Sequence, residues 1–407
     1  MSKKKYIFKT LLPKKEKYFY PLSDNNLSND DLKAGIKVLK SGKITMGNQT
    51  ILFEKKFKKK LKAKYALMVN SGSSANLLAT FAACNPLKKN RFKPGDQAII
   101  QSLCWPTSLW PLVQTGLKIN FVDVDPKTLN VKADEVIKKV NKKTKVILII
   151  NVLGLSTDIQ KIRNFCNKKR IILIEDNCEA LGAKLHNKQL GTFGDFSTFS
   201  FFYSHQITSG EGGMIVCRDK NDYEILKSLR SHGWSRDKKI ANKYPDLDPR
   251  YIFINSGFNL RPTDIQGAIA HNQFKRLNKL KEQRNQNRNT IINHLKSSKN
   301  WKNQFKFIDV PKKINPSWMG LPILLDKKFA NKKQKFINFL DKMKIETRPI
   351  ISGNFLNHPA AKLYKLDNRK NVFKNAQEIQ NLGFLIGLHT KKISTNQLKI
   401  LHDCFFK

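Results

Sequence analysis

Acidic side chains are few in this chain. Thirty-one Asp and Glu residues stand against 76 Lys and Arg, a formal net charge of +45 over 407 residues. Cysteine is scarcer still, with six residues at positions 84, 104, 166, 178, 217 and 404. Their spacing is wide and irregular and no CxxC pair occurs, which disfavours a disulfide framework and a zinc site. No run of about 18 uncharged apolar residues exists, so no membrane span is expected. The basic start "MSKKKYIFKTLLPKKEKYFY" is followed by neither an apolar stretch of signal-peptide length nor a cleavage site. Export is therefore not expected, and the chain reads as cytoplasmic with reduced thiols.

The positive excess raises the question of nucleic acid, and its distribution answers it. Lysines are scattered through "LKKNRFKPGD", "VIKKVNKKTKV", "FCNKKRI" and "DKKFANKKQKF", with no zinc finger, RNP signature or basic-region heptad. A solvated, lysine-biased surface is the better reading, and no nucleic-acid partner is expected. An anionic small substrate needs only a few of these charges.

What is present is enough apolar material for a folded protein, 40% of residues with 10% aromatic. The length allows two packed units. Between about residues 60 and 217, short apolar runs alternate with helix-like segments, the pattern of an α/β domain. "YALMVN", "QAIIQSL", "INFVDVD", "KVILIINVLG", "RIILIED", "FSTFSFF" and "GMIVC" are predicted strands; "SSANLLATFAA", "KADEVIKKV" and "TDIQKIRNFCNKK" are predicted helices. A polar helical stretch over 262–298 changes the texture of the chain. Beyond it "SWMGLPILL" and "IETRPII" give weaker strand signals, while "KKQKFINFLDKM" and "NAQEIQNLGFL" read as helices. The expected division is an N-terminal arm (1–20), a large domain (21–280) and a small C-terminal domain (281–407).

Three stretches carry chemistry. "NSGSSAN" (70–76) places small hydroxylated residues between a strand and a helix, a place suited to an anion and equally to an ordinary N-cap. "IEDNCEALGA" puts Asp176 at the C-terminal end of a strand, where α/β sheets place ligand-contacting groups. "FSFFYSHQITSGEGGMIVC" sets His205 in a glycine-rich turn between two strands. Each has a structural alternative when taken singly.

Taken in order, these stretches resemble the sugar-modifying, pyridoxal-phosphate-dependent DegT/DnrJ/EryC1/StrS family. The resemblance also runs through "SGKITMGNQTILFEKKF", "FVDVDPKTLNV", "EDNCEALGAKLHNKQLGTFGDFSTFSFF" and "GFNLRPTDIQGAIA", nearly the whole chain. It implies the type I aminotransferase fold, an α/β architecture with a mostly parallel seven-stranded sheet and a smaller α+β domain. In that family the position of His205 is ordinarily a lysine that holds the cofactor covalently. Imidazole forms no such link but carries protons near neutral pH. Histidine there resembles the branch that removes the C3 hydroxyl of nucleotide-linked 4-keto-6-deoxy sugars for surface polysaccharide. "SLCWPTS" and "ETRPIISGNFLNHP" fit that branch. Its cluster-bearing members need about four thiolates in the C-terminal half. Only Cys404 follows Cys217 here, so no iron–sulfur cluster is expected. The likeness is greatest to the cluster-free members of the colitose pathway, with GDP-4-keto-6-deoxy-D-mannose the favoured substrate.

The resemblance implies a role for each matched residue. Asp176 would pair with the pyridine nitrogen and Glu179 with the ring hydroxyl of pyridoxamine or pyridoxal phosphate. Trp105 would stack on the ring. Ser73, Ser74 and Ser200 would hold the phosphate, joined by Asn259 from a second subunit of a homodimer. His205 would take a proton from the cofactor's methylene carbon and then assist departure of the C3 hydroxyl. L-Glutamate would re-aminate the cofactor. His232, Arg236, Arg348 and Asn354 are candidate substrate contacts. Two alternatives stay open: a nucleotide-sugar aminotransferase, and a non-catalytic binding protein on the same fold.

Overall fold

The computed structural model describes residues 18–24, 26–235, 237–366 and 373–407. Seven strands form the large sheet: β1 (Tyr65–Val69), β2 (Gln97–Gln101), β3 (Lys118–Val122), β4 (Thr144–Ile150), β5 (Ile172–Asp176), β6 (Phe196–Ser200) and β7 (Gly213–Cys217). Their order is β1-β7-β6-β5-β4-β2-β3. Every neighbouring pair is parallel except the two that involve β7, which runs against both β1 and β6. Runs such as "TKVILII" are nearly continuous in apolar residues because such a sheet is covered on both faces.

The two-residue period of the strands sorts their side chains between two cores. Helices α1 (Asn29–Lys40), α2 (Asn48–Leu61) and α3 (Gly72–Ala83) precede or follow β1. Leu67, Val69, Ile215 and Cys217 join the core that contains α3, through Ala75, Leu78 and Ala79. Ala66, Met68, Phe199, Phe201, Met214 and Val216 turn the other way, onto Phe53 and Phe57 of α2. Phe57 stacks on Phe274 with ring centroids 5.1 Å apart and meets Phe199 edge-on at the same distance. The amides at the start of α2 are capped from afar, because Asp264 accepts from the N–H groups of Gly47, Gln49 and Thr50.

The predicted helical stretch 262–298 is two helices. After α4 (Pro106–Gln114), helix α5 spans Asp264–Lys275 and α6 spans Leu277–Lys296. Arg276 leaves helical geometry between them at φ −99°, ψ 0°, with its guanidinium paired to the buried carboxylate of Asp31. Strands β8 (Phe305–Phe307), β9 (Gly320–Leu325), β10 (Thr347–Arg348) and β11 (Gly383–Gly387) form an antiparallel sheet in the order β8-β9-β11-β10. Here the reading of "NAQEIQNLGFL" as one helix is corrected. Helix α7 (Lys374–Leu382) ends at Leu382, and the next residues are an interior strand. An apolar run as short as "GFLIG" carries no period that separates helix from strand. Tyr20, at the end of the predicted arm, bridges Ile345 and donates its hydroxyl to Gly387 O at 3.1 Å, so this residue lies against the small sheet. Among the described residues no helix is long and apolar enough to cross a membrane.

Candidate active site

Strand alternation separates two adjacent acids at the end of β5. Glu175 turns into a loop where the amides of Gly191, Phe193 and Gly194 bind its carboxylate. Burial raises its pKa while those amides oppose the rise, and the group is used up structurally. Asp176 turns the other way and is 3% exposed. Its Oδ2 accepts from Asn76 Nδ2 on α3 and Ser108 Oγ on α4, each at 2.7 Å, and Oδ1 accepts from the Cys178 amide at 3.0 Å. Asn76 is itself fixed by Thr198, whose hydroxyl donates to its Oδ1 at 2.6 Å. Asp176 makes no ion pair among the described residues. A buried carboxylate met only by neutral donors is an incomplete arrangement, since burying an uncompensated charge costs several kcal/mol.

Helix α3 begins beside it. Ser71 caps the helix by accepting from the Ser74 amide at 3.0 Å, and the Ser71 and Ser74 hydroxyls are 2.9 Å apart. Ser74 is buried in that cap, whereas Ser73 is exposed and donates to Thr107 Oγ1 at 3.1 Å. Ser200, at the end of β6, accepts from the Phe202 amide at 3.2 Å. The first amides of a helix have no partner within it, so Ser73, Ser74 and Ser200 surround a ready anion site.

His205 lies in the turn between β6 and β7, its amide donating to Phe202 O at 3.0 Å. Nδ1 is enclosed without a hydrogen-bond partner. Nε2 is not among the enclosed, unpaired atoms, which leaves it the nitrogen able to meet a ligand. Burial pushes the imidazole pKa down to about 4; the backbone at Ser200 and the Asp176 carboxylate pull it up, and Arg284 adds to the fall. The ring is therefore neutral at neutral pH. Glu179 accepts from the Leu153 amide at 2.9 Å, where Leu153 holds a left-handed φ of 51°. Burial lifts this carboxyl to about 7, with Asp176 adding and the Leu153 amide opposing.

Trp105 is the residue before α4, with 55% of its surface exposed and Pro106 opening the helix after it. The segment "ISGNF" docks on this turn: Ser352 Oγ donates to Cys104 O at 2.7 Å and the Phe355 amide to Ser102 O at 3.0 Å. Asn354 in that segment is 7% exposed and caps the following turn through the Leu356 amide, so its side chain has a structural task. Arg348 is paired with Glu346 at 2.9 Å on the surface. Exposed His232 has a left-handed φ of 62°. Asn259 is exposed, one residue from Leu260, whose carbonyl accepts from the Asn70 amide at the mouth of β1. Arg236 lies outside the described residues. The structure thus brings Ser73, Ser74, Asp176, Glu179, Ser200 and His205 to one end of the sheet. Sequence reasoning passed over Asn76 and Ser108, the donors to Asp176, and Arg284, which binds the His205 carbonyl. The asparagine closing "NSGSSAN" was the available signal for Asn76.

The aminotransferase profile named DegT/DnrJ/EryC1/StrS matches residues 25–403. The chain belongs to this family. The GDP-4-keto-6-deoxy-D-mannose 3-dehydratase of Yersinia pseudotuberculosis is 36% identical over 396 residues, 95% of this chain and 98% of that one. The structure of the E. coli GDP-4-keto-6-deoxy-D-mannose-3-dehydratase with bound hydrated PLP matches with a TM-score of 0.86 at 32% identity, covering 96% of this chain and 100% of that one. A second structure of such a dehydratase, with a trapped PLP–glutamate geminal diamine, matches with a TM-score of 0.84 at 32% identity over 95% of this chain and 100% of that one. The fold is that of the PLP-dependent type I aminotransferases, as the family resemblance implied.

The residues present fit a pyridoxal-type group. The buried, unpaired Asp176 carboxylate suits a protonated pyridine nitrogen, the start of α3 suits a phosphate, and the uncovered Trp105 ring suits an aromatic face.

Proposed function

We propose that this chain removes the C3 hydroxyl of a nucleotide-linked 4-keto-6-deoxyhexose, with GDP-4-keto-6-deoxy-D-mannose the favoured substrate and a 3,6-dideoxy-4-keto sugar the product. The observation that carries this reading is an imidazole, His205, in the turn after β6 and close enough to the buried Asp176 carboxylate to feel its charge, at the position where the wider family places a lysine.

Pyridoxamine phosphate, when bound, supplies the amine that joins the sugar at C4 and a conjugated ring that takes up electron density. The protein does the rest. Asp176, fixed by Asn76 and Ser108, holds the pyridine nitrogen in its protonated form. Glu179 would meet the ring hydroxyl, Trp105 would cover one face, and Ser73, Ser74 and Ser200 would hold the phosphate. His205 accepts a proton at Nε2 and returns it to the departing C3 hydroxyl, which leaves as water. One side chain serves both steps, so no second acid is required. L-Glutamate restores the amine for the next cycle.

A homodimer completes the site in this reading. Helix α1 shows Leu32, Ile36 and Leu39 in an exposed stripe at i, i+4 and i+7, and Asn259 stands exposed to reach a partner's phosphate site. The proposed division into a large domain over 21–280 and a small domain over 281–407 is supported by the four-stranded sheet β8-β9-β11-β10 lying wholly within the second.

The deciding experiment incubates the protein with pyridoxamine phosphate, glutamate and a panel of nucleotide-linked 4-keto-6-deoxyhexoses, followed by mass analysis. Loss of water with release of ammonia is expected. A stable 4-amino sugar would mark an aminotransferase instead, and no turnover of any sugar would favour a binding protein.

A further inference from the structure

Helix α6 carries a polar stripe that is buried. Lys281, Arg284 and Asn287 lie three residues apart on one face, 8%, 2% and 2% exposed. Each donates to main-chain carbonyls of other segments. Lys281 Nζ reaches Gly182 O at 3.0 Å, in the loop after Asp176 and Glu179. Asn287 Nδ2 reaches His389 O at 2.9 Å and Lys391 O at 2.7 Å, just past β11. Arg284, between them, joins the catalytic turn to the small sheet. Its Nη2 donates to His205 O at 3.2 Å, its Nη1 to Gln206 O at 3.0 Å and its Nε to Leu388 O at 3.1 Å.

Arg284 has no ion-pair partner among the described residues, although burial is costly enough to lower its pKa to about 10. A buried cation satisfied only by carbonyls is an expensive way to secure a loop unless its charge or its geometry is needed. The geometry is needed here. The peptide plane that carries the His205 carbonyl is held by Arg284 and the plane that carries the His205 N–H is held by Phe202 O, and these two planes set the direction in which the His205 side chain leaves the backbone. The bond to Gln206 O fixes the next plane of the turn. Gln206 pins the same turn from the other side, its Nε2 donating to Glu179 O and, at 3.0 Å, to Ser317 O. The charged groups facing the imidazole oppose one another: Asp176 on β5 and the backbone at Ser200 on β6 favour the imidazolium, and Arg284 on α6 disfavours it.

We propose that Arg284 is a positioning residue for His205, aiming the imidazole by fixing the His205 carbonyl and the peptide after it, and tying the turn to the end of the small sheet at Leu388. The proposal rests on the reading of His205 as the proton-transferring group.

The test compares full-length R284K, R284M and H205N with the parent chain. It measures kcat and KM with pyridoxamine phosphate and GDP-4-keto-6-deoxy-D-mannose. It also follows the His205 imidazole by NMR titration of the cofactor-free, histidine-labelled protein, with circular dichroism checking the fold. R284K keeps the charge but cannot span three carbonyls. Its kcat is expected to fall roughly 100-fold, the usual loss for a small misplacement of a reacting group, with KM barely moved and the imidazole midpoint still low. R284M removes all three bonds, and its kcat is expected to fall at least as far, again with KM barely moved. If R284M does not fold, R284K decides. Parental kcat in a folded R284K or a folded R284M overturns the proposal. Parental turnover by H205N sinks the reading of His205 itself; an inactive H205N beside a fully active R284K sinks only the role of Arg284.

Discussion

Gly72 stands so close to Ser200 that a Cβ at position 72 would lie 2.5 Å from the serine's Cβ, and 2.9 Å from Sγ of Cys178. The start of α3 is pressed against the end of β6 and the loop after β5, and only a residue without a side chain permits it. The three stretches that carried chemistry in the sequence meet at this contact.

Gly72→Ala is therefore expected to push α3 off Ser200. Overpacking of this kind destabilises by about 1–3 kcal/mol. The anion site is built on the same contact, so affinity for pyridoxamine phosphate should fall too. Urea unfolding and a cofactor titration read the two effects. An unchanged cofactor affinity would mean that the phosphate rests elsewhere.

Asp176→Asn keeps the size of the side chain and replaces an acceptor oxygen by an NH2 group. Both oxygens of Asp176 accept from the chain, Oδ2 twice and Oδ1 once. Either orientation of the amide sets a donor against a donor. A cost of about 1–3 kcal/mol is expected in the cofactor-free protein. The holoenzyme should lose turnover as well, since no carboxylate remains to keep the pyridine nitrogen protonated. Wild-type stability together with wild-type rate would remove Asp176 from the site.

Glu179 predicts a pH effect. Its folded pKa of about 7 lies above its ordinary value of 4.5, chiefly through burial. The folded chain then binds this proton more tightly than the unfolded chain. The contribution to stability is fully present below pH ~4.5 and is lost as pH rises towards 7. Glu179→Gln cannot ionise and still accepts from the Leu153 amide. Relative to the parent, the variant should gain stability as pH rises through that window in cofactor-free protein. A difference in unfolding free energy that stays flat from pH 4.5 to 7 would contradict the assignment.

His205→Lys restores a primary amine where the wider family has one. Dehydration should disappear, and pyridoxal phosphate should become covalently attached, giving a yellow protein whose mass rises by the cofactor after borohydride reduction. Retention of full dehydratase activity would refute the role given to His205.

The order of elements in the large sheet can be read from the chain because its strands are short apolar runs between helical segments. All seven predicted runs coincide with strands to within a few residues. The small sheet is harder to read. Thr347–Arg348 is two residues long, and Gly383–Gly387 follows a helix without a break in apolar character. Edge pairing and burial make them strands, and neither is a local property. Within the site, Asp176 stands out by its place at a strand end, and Glu179 and Ser200 by their match to the family's motifs. Asn76 and Ser108 do not, because an asparagine and a serine inside helices look like ordinary polar positions until the sheet brings one carboxylate between them.

The amino-acid order alone settles the chemistry on offer: an imidazole rather than an amine at 205, a carboxylate ending a strand, and a single thiol after Cys217. Those are statements of residue identity, and identity needs no partner in space. The protonation of that imidazole, the second helix presenting a buried arginine to its carbonyl, and the strand nature of "GFLIG" come from the folded chain. Each depends on desolvation or on contact between segments far apart in the chain, and neither is encoded by neighbours along it.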